Sequence, residues 1–349
     1  MNNQFREKLL EIKTSEHYLR KPSVNYDVYI SQLEGVIGEL TPKLTVSKIR
    51  DLLDNKLQLS TKNFNEAQYV QSACELAVMN EYIGNPEFNF SYEVKVTPPK
   101  DVDFSLCVNN INVNVEVKCS TYQNKLEPSD SNVVIKFLDR APTKNDSEDI
   151  IQSLQENLTQ VGQASSVEKS VENNLLSFLE STQEKVEKSG VHDINVLVVC
   201  CDSAMDMQAW RQSLFGFQGL FTEHSFSSHE KFERVDFVLL TNLYNRHWRF
   251  YEANLITDHW NLSNAFCLLY PNKFSLRNTR LLFDSKQELV FMNKVFPNYS
   301  SEFEKYMKDD LDIPNADVAP ELKEFAGVAW FSDKYRDRGV YHFREPKGI

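Results

Sequence analysis

Asp103 and the tripeptide Glu116-Val117-Lys118 are residue types suited to phosphodiester chemistry at a hard cation. Mg²⁺ takes oxygen ligands and is commonly held by one or two carboxylates plus substrate phosphate. A lysine two residues beyond one of those carboxylates can hold a phosphate oxygen or the attacking water. It can also stabilise charge that develops in the transition state. The spacing, D-x12-E-x-K, is short and has little specificity by itself. Its setting in the chain is more informative.

Both halves fall on segments that alternate with period two, the pattern of a half-buried strand. Over 101–108, Val102, Phe104, Leu106 and Val108 face one way, and Asp101, Asp103, Ser105 and Cys107 the other. Over 111–120, Ile111, Val113, Val115 and Val117 are apolar against Asn112, Asn114, Glu116, Lys118 and Ser120. Only Asn109-Asn110 separates the runs, and Asn tolerates the positive φ of a two-residue hairpin turn. That turn pairs Val108 with Ile111, Phe104 with Val115 and Val102 with Val117. It also sets Asp103 opposite Glu116 and Asp101 opposite Lys118. A slip of one residue would mismatch the two faces, so the hydrophobic pattern fixes the register. Like charges directly opposed on a sheet are destabilising. A divalent cation between Asp103 and Glu116 removes that liability.

The surrounding segments supply further candidates. Asn63-Phe64-Asn65-Glu66 has the form of a capping box, and helix formers continue to Ile83 before Gly84 and Pro86 stop them. Ala67, Val70, Cys74, Ala77 and Val78 make the apolar stripe, with Glu75 beside it one turn after Gln71. Glu66 and Glu81 are the rival carboxylates on this helix. Residues 88–96 alternate as a third strand, and 133–138 form a short one. A long helical stretch begins at Ser147, with Gln163 and its rival Gln160 on it; the pattern weakens after Gly162 and resumes to 189–190. The largely apolar runs 194–201 and 235–240 are those of buried central strands. Helical segments follow near 285–294 and 301–308.

With the order helix, three strands, helix, buried strand, the constellation resembles the PD-(D/E)XK nuclease superfamily across residues 63–202. Asp103 matches the Asp, and Glu116-Val117-Lys118 the (D/E)XK; Val102 rather than Pro precedes Asp103, with Pro98-Pro99 slightly earlier. The resemblance implies an α/β, restriction-endonuclease-like core (α-β-β-β-α-β, a mixed sheet flanked by helices) with helical extensions. The division expected is a helical extension over 1–60, the nuclease-like core over 61–275 with a helical insertion around 165–190, and a mixed, mostly helical extension over 276–349. The implied activity is Mg²⁺- or Mn²⁺-dependent hydrolysis of phosphodiester bonds in DNA, in restriction or phage defence. Asp103, Glu116, the Val117 carbonyl and Glu75 would hold metal. Lys118 would orient the water, and Gln163 would support the site. Two alternatives stay open: an RNase, or a non-catalytic nuclease-fold subunit that docks a protein partner.

Composition is compatible with this reading. The 349-residue chain, 41% hydrophobic and 25% charged, has the balance of a globular protein and is long enough for a large core. No apolar run approaches the roughly 18–20 residues of a membrane helix, and the N-terminus has no signal-peptide core, so a cytoplasmic setting is expected. A net charge of −12 argues against a protein that coats nucleic acid non-specifically, though a partner subunit or a second copy could supply DNA contacts. The six cysteines form no C-x2-C pair, so the expectation is reduced, mostly buried thiols and no structural zinc. His224 and His229, with Glu223 and Glu230, have weak ligand spacing. The Arg246–Tyr251 run and the basic-aromatic segment 330–347 either touch nucleic acid or pack with snorkelling Arg heads. The absence of G-x-S-x-G, Walker A and Gly-rich dinucleotide motifs disfavours a serine hydrolase, an NTPase and a Rossmann enzyme.

Overall fold

The computed structural model describes residues 2–120, 132–137, 144–160, 164–169 and 171–298, apart from 203, 217, 253–255, 257 and 280–284. Gln163 and the segments 301–308 and 330–347 lie outside the described residues.

The chain opens with helices α1 (Asn2–Glu11), α2 (Tyr26–Leu40) and α3 (Val46–Asp51), the last running into a π-helical turn at Leu52–Lys56. Helix α4 (Glu66–Ile83) follows. Its N-cap is Asn65, whose side chain accepts from the Gln68 amide at 3.1 Å, so the helix starts two residues later than a cap at Asn63 would place it. The Gln58 amide selects this position by clamping the Asn65 backbone, accepting from its N–H and donating to its carbonyl, each at 2.7 Å. Gly84 ends the helix as expected.

Strands β1 (Asn89–Thr97), β2 (Lys100–Val108) and β3 (Ile111–Cys119) form an antiparallel meander. The hairpin turn has φ of 51° at Asn109 and 64° at Asn110, the two positive angles that such a turn requires. The register is the expected one: Val108 pairs with Ile111, Leu106 with Val113 and Phe104 with Val115.

Beyond β3 the order departs from one long helical stretch. Strand β4 (Asn132–Phe137), helix α5 (Lys144–Gln160) and strand β5 (Ala164–Lys169) form a separate two-stranded parallel unit. Helix α6 (Val171–Val186) then leads to β6 (Ile194–Cys200). α6 lies in the 165–190 stretch expected to be an insertion, yet it packs on β1, β2, β3 and β6 and is the crossover to the parallel strand β6. Parallel strands need such a connection. The inserted unit is β4–α5–β5, whose pairing partner lies about thirty residues away and leaves no local period in sequence.

Helix α7 (Ala204–Phe215), strand β7 (Phe237–Thr241), helix α8 (Leu243–His247), strand β8 (Cys267–Pro271), and helices α9 (Leu276–Thr279) and α10 (Ser285–Val295) follow. The main sheet has the order β1-β2-β3-β6-β7-β8, with β3, β6 and β7 parallel and the rest antiparallel. The result is an α/β fold with a six-stranded mixed sheet flanked by helices.

Each face of the sheet has its own core. On one, α4 and the N-terminal helices pack Leu33, Tyr69, Val70 and Ala77 against Phe104, Val115 and Val198. On the other, Leu175 and Leu179 of α6 and Trp210 of α7 cover Leu197 and Val199. The alternate residues of β6 divide between these cores, so every position is buried and all but Asn195 are apolar. The first 60 residues share the core of the sheet, through Phe5, Ile12, Tyr29 and Leu53. Among the described residues, no helix is long and apolar enough to cross a membrane.

Candidate functional site

The β2–β3 ladder stops at the Phe104–Val115 pair, although β2 begins at Lys100 and β3 continues to Cys119. The strands therefore fork just where Asp103 and Glu116 would face each other. Backbone groups of β3 that point into the fork still need partners, because unpaired buried amides are costly. Side chains provide them. The Val117 N–H donates to Asp103 Oδ2 at 2.7 Å. Gln71 of α4 donates from Nε2 to the Val117 carbonyl and accepts from the Cys119 N–H, each at 2.8 Å. The Gln71 side-chain amide thus substitutes for a strand partner. Gln71 Nε2 also reaches Glu75 Oε1 at 2.9 Å, which anchors Glu75 at the fork.

Glu116 points from the opposite face of β3, toward α6. It is 1% exposed, and its Oε1 accepts from Lys118 at 2.7 Å and from Lys185 of α6 at 2.6 Å. Its Oε2 is buried without a hydrogen-bond partner. Lys118 therefore pairs with Glu116 rather than with Asp101, the partner that an unforked ladder predicts. Glu75 is buried and meets Lys56 at 3.4 Å; Lys56 also reaches Glu93 of β1 at 3.0 Å, and Lys48 reaches Glu93 at 3.3 Å. Glu93 has φ of 46°, a left-handed conformation one residue before Val94, beyond which the β1–β2 register shifts.

The electrostatics follow from this crowding. Burial, together with the charges of Glu75 and Glu116, holds the Asp103 carboxyl well above its usual range, against the Val117 amide and Lys185. Burial works to lower the Lys118 pKa, but Glu116, Asp103 and Glu75 outweigh it and keep the ammonium charged. Lys56 is likewise driven up, its desolvation overcome by Glu75 and Glu93.

Asp103, Glu116, Lys118 and Glu75 are thus brought together at one fork. Gln160 is exposed at the end of α5. Glu66 accepts from the Tyr18 hydroxyl and Glu81 from the Ser263 amide, so neither rival of Glu75 serves the fork. Sequence reasoning missed Lys185, Lys56, Glu93 and the role of Gln71. Gln71 alone left a trace, one helical turn before Glu75; the others depend on which elements pack together.

A second cluster lies on the α4 side of the sheet. The Sγ atoms of Cys74 (α4), Cys119 (β3) and Cys200 (β6) all lie within 4.8 Å of one another. Among the described residues this is the sole set of three or more Cys, His, Asp or Glu donors that close, so Asp103, Glu116 and Glu75 do not converge as tightly. Burial raises the Cys200 thiol, but hydrogen bonds with Cys119 and Cys74 bring it down to about 6.

The other described clusters make packing, hydrogen-bond and ion-pair contacts. His229 stacks on Phe274 at 3.7 Å and meets the Thr222 carbonyl at 3.0 Å, while Glu223 pairs with Lys273. In the 246–251 run, Arg246, His247 and Phe250 are buried, and the Arg246 guanidinium donates to the Asn264 and Asp258 carbonyls. Its head is enclosed rather than snorkelling. Arg249 lies over Trp248 and near Glu66.

Comparison of the chain with models of known protein families, with curated proteins and with solved structures finds no match.

Proposed function

We propose that the chain is a divalent-cation-dependent phosphodiesterase of the PD-(D/E)XK kind, acting on nucleic acid and foremost on DNA. One observation carries this reading: a fully buried Glu116 with an unpartnered carboxylate oxygen, in a fork shared with Asp103 and Glu75 and flanked by two lysines. A buried carboxylate that is not fully paired costs free energy in a chain with no use for it.

The residues suit a hard cation. Glu116 Oε2 and the Asp103 oxygen not engaged by Val117 are hard oxygen donors, with Glu75 alongside, and a cation would displace the proton that burial, Glu75 and Glu116 favour on Asp103. The Val117 carbonyl, with one lone pair on Gln71, retains a second. Mg²⁺ or Mn²⁺ supplies Lewis acidity toward a phosphoryl oxygen and lowers the pKa of water. Lys118, about a quarter exposed on the same face as Glu116, holds a non-bridging phosphate oxygen and orients the attacking water. Lys185 steadies the Glu116 carboxylate from α6 and adds a second positive charge where the phosphate sits. A fold of the restriction-endonuclease type, with α4, β1–β3, α6 and β6 as its core, agrees with the order of elements. Access to DNA implies a cytoplasmic setting, in restriction or phage defence.

The test is cleavage of duplex DNA, single-stranded DNA and RNA by the full chain with Mg²⁺, Mn²⁺ or EDTA. Wild type should cleave DNA only with the cation, and Lys118→Met should lose cleavage while it still binds Mg²⁺ by calorimetry. Equal cleavage by both proteins, or Mg²⁺ binding indifferent to Asp103→Asn and Glu116→Gln, would sink the reading. Preference for RNA would move the substrate class and keep the chemistry.

A further inference from the structure

Cys74, Cys119 and Cys200 come from three different elements, and their sulfurs meet on the α4 face of the sheet. Cys119 and Cys200 are register partners on the adjacent parallel strands β3 and β6. Partners on parallel strands point their side chains to the same face. Cys74, in the buried stripe of α4, closes the triangle from above. Cys74 and Cys200 are fully buried and Cys119 half-buried, and all three are free thiols.

Soft thiolate donors select thiophilic cations over Mg²⁺. Zinc takes Cys sulfur at about 2.3 Å in tetrahedral geometry, which sets neighbouring sulfurs about 3.8 Å apart. The three sulfurs already lie within 4.8 Å of one another, so an inward shift of about 1 Å at most completes the donor triangle. Three sulfurs leave the fourth tetrahedral position of zinc to an exogenous ligand such as water. The remaining cysteines are placed differently: Cys107 is on the solvent-facing side of β2, Cys201 is in the opposite core, and Cys267 bonds Thr241 Oγ1 at 3.5 Å.

We propose that Cys74, Cys119 and Cys200 form a three-thiolate site for zinc, a structural clamp that pins α4 to β3 and β6. This site is separate from the carboxylate fork, and its donor chemistry excludes the hard cation of that fork. It does not rest on the nuclease reading. The clamp holds the elements that carry Gln71, Glu75, Glu116 and Lys118, so it sets the width of the fork without touching substrate.

The test uses the full chain purified without chelator. Elemental analysis should find zinc close to equimolar with protein. Replacement of that zinc by Co²⁺ should give sulfur-to-cobalt charge transfer in the near ultraviolet. Cys119→Ser and Cys200→Ser should each lose most of the zinc and of that band, while Cys107→Ser keeps both. Should the serine variants fail to fold, the cobalt spectrum of the wild-type chain decides alone. Absence of zinc after purification and after zinc titration overturns the proposal. Cobalt bound without a thiolate band, or equal loss in Cys107→Ser, does the same. None of these readouts uses cleavage activity, so failure here and failure of the nuclease reading are distinguishable.

Discussion

Replacing Gln71 by Leu removes the side chain that closes the fork. Leu fills a similar volume on α4 but cannot accept from the Cys119 N–H or donate to the Val117 carbonyl, both now at 2.8 Å. Two backbone groups of β3 lose their partner. Val117 is fully buried and Cys119 half-buried, so water compensates incompletely. At about 1–3 kcal/mol for each group left unsatisfied, less what water recovers at Cys119, the expected loss is about 2–4 kcal/mol. Unfolding entropy of about 2.1 cal/mol/K per residue makes that a fall of about 3–5 °C in Tm for a chain of 349 residues. Urea unfolding followed by far-ultraviolet circular dichroism measures it, with Gln152→Leu on the exposed face of α5 as the control. Gln71→Glu separates the two bonds. It can still accept from Cys119, but it cannot donate to Val117 and it sets a second carboxylate against Glu75. Its deficit should be large at neutral pH and shrink as the pH is lowered through the carboxylate range. If Gln71→Leu unfolds within about 0.5 kcal/mol of wild type, as neutral surface substitutions do, the forked ladder is not what holds this end of β3.

Two further outcomes follow from the charges at the fork. Glu116→Gln removes the anion beneath Lys118 and Lys185; both lysines are about a quarter exposed, so the cost is about 1–2 kcal/mol rather than that of a fully buried pair. Mg²⁺ at a hundredfold its Kd should stabilise wild type by about 2.7 kcal/mol, and a Glu116→Gln chain that keeps this increment excludes Glu116 as a ligand. Asp103→Asn keeps an acceptor for the Val117 amide and removes a carboxyl that burial, Glu75 and Glu116 hold well above its usual range. The folded chain binds that proton more tightly than the unfolded one. The stability it contributes is therefore full below about pH 3.9 and lost as pH rises through the folded value. The variant should gain on wild type toward neutral pH without divalent cation and fall behind once Mg²⁺ is added; lower stability than wild type at neutral pH without cation contradicts the assignment.

The sequence by itself determined the elements whose signals are local. Period-two alternation placed β1, β2 and β3, and the Asn109-Asn110 turn fixed the β2–β3 register. Largely apolar runs marked β6 and β7 because those strands are buried on both faces. The same patterns put Asp103, Glu116 and Lys118 on one face of the hairpin. Tertiary structure decided the rest. Where the hairpin forks, Asp103 and Gln71 replace the missing ladder bonds, and no alternation pattern records where a ladder ends. Lys185 reaches Glu116 because α6 crosses over the sheet, although the 165–190 stretch reads as an insertion. Cys74, Cys119 and Cys200 have no metal-ligand spacing, since each comes from a different element and parallel pairing of β3 with β6 is what aligns two of them. Periodicity reports which face of its own element a side chain occupies, whereas a site requires faces of different elements to coincide, and long-range packing sets that coincidence.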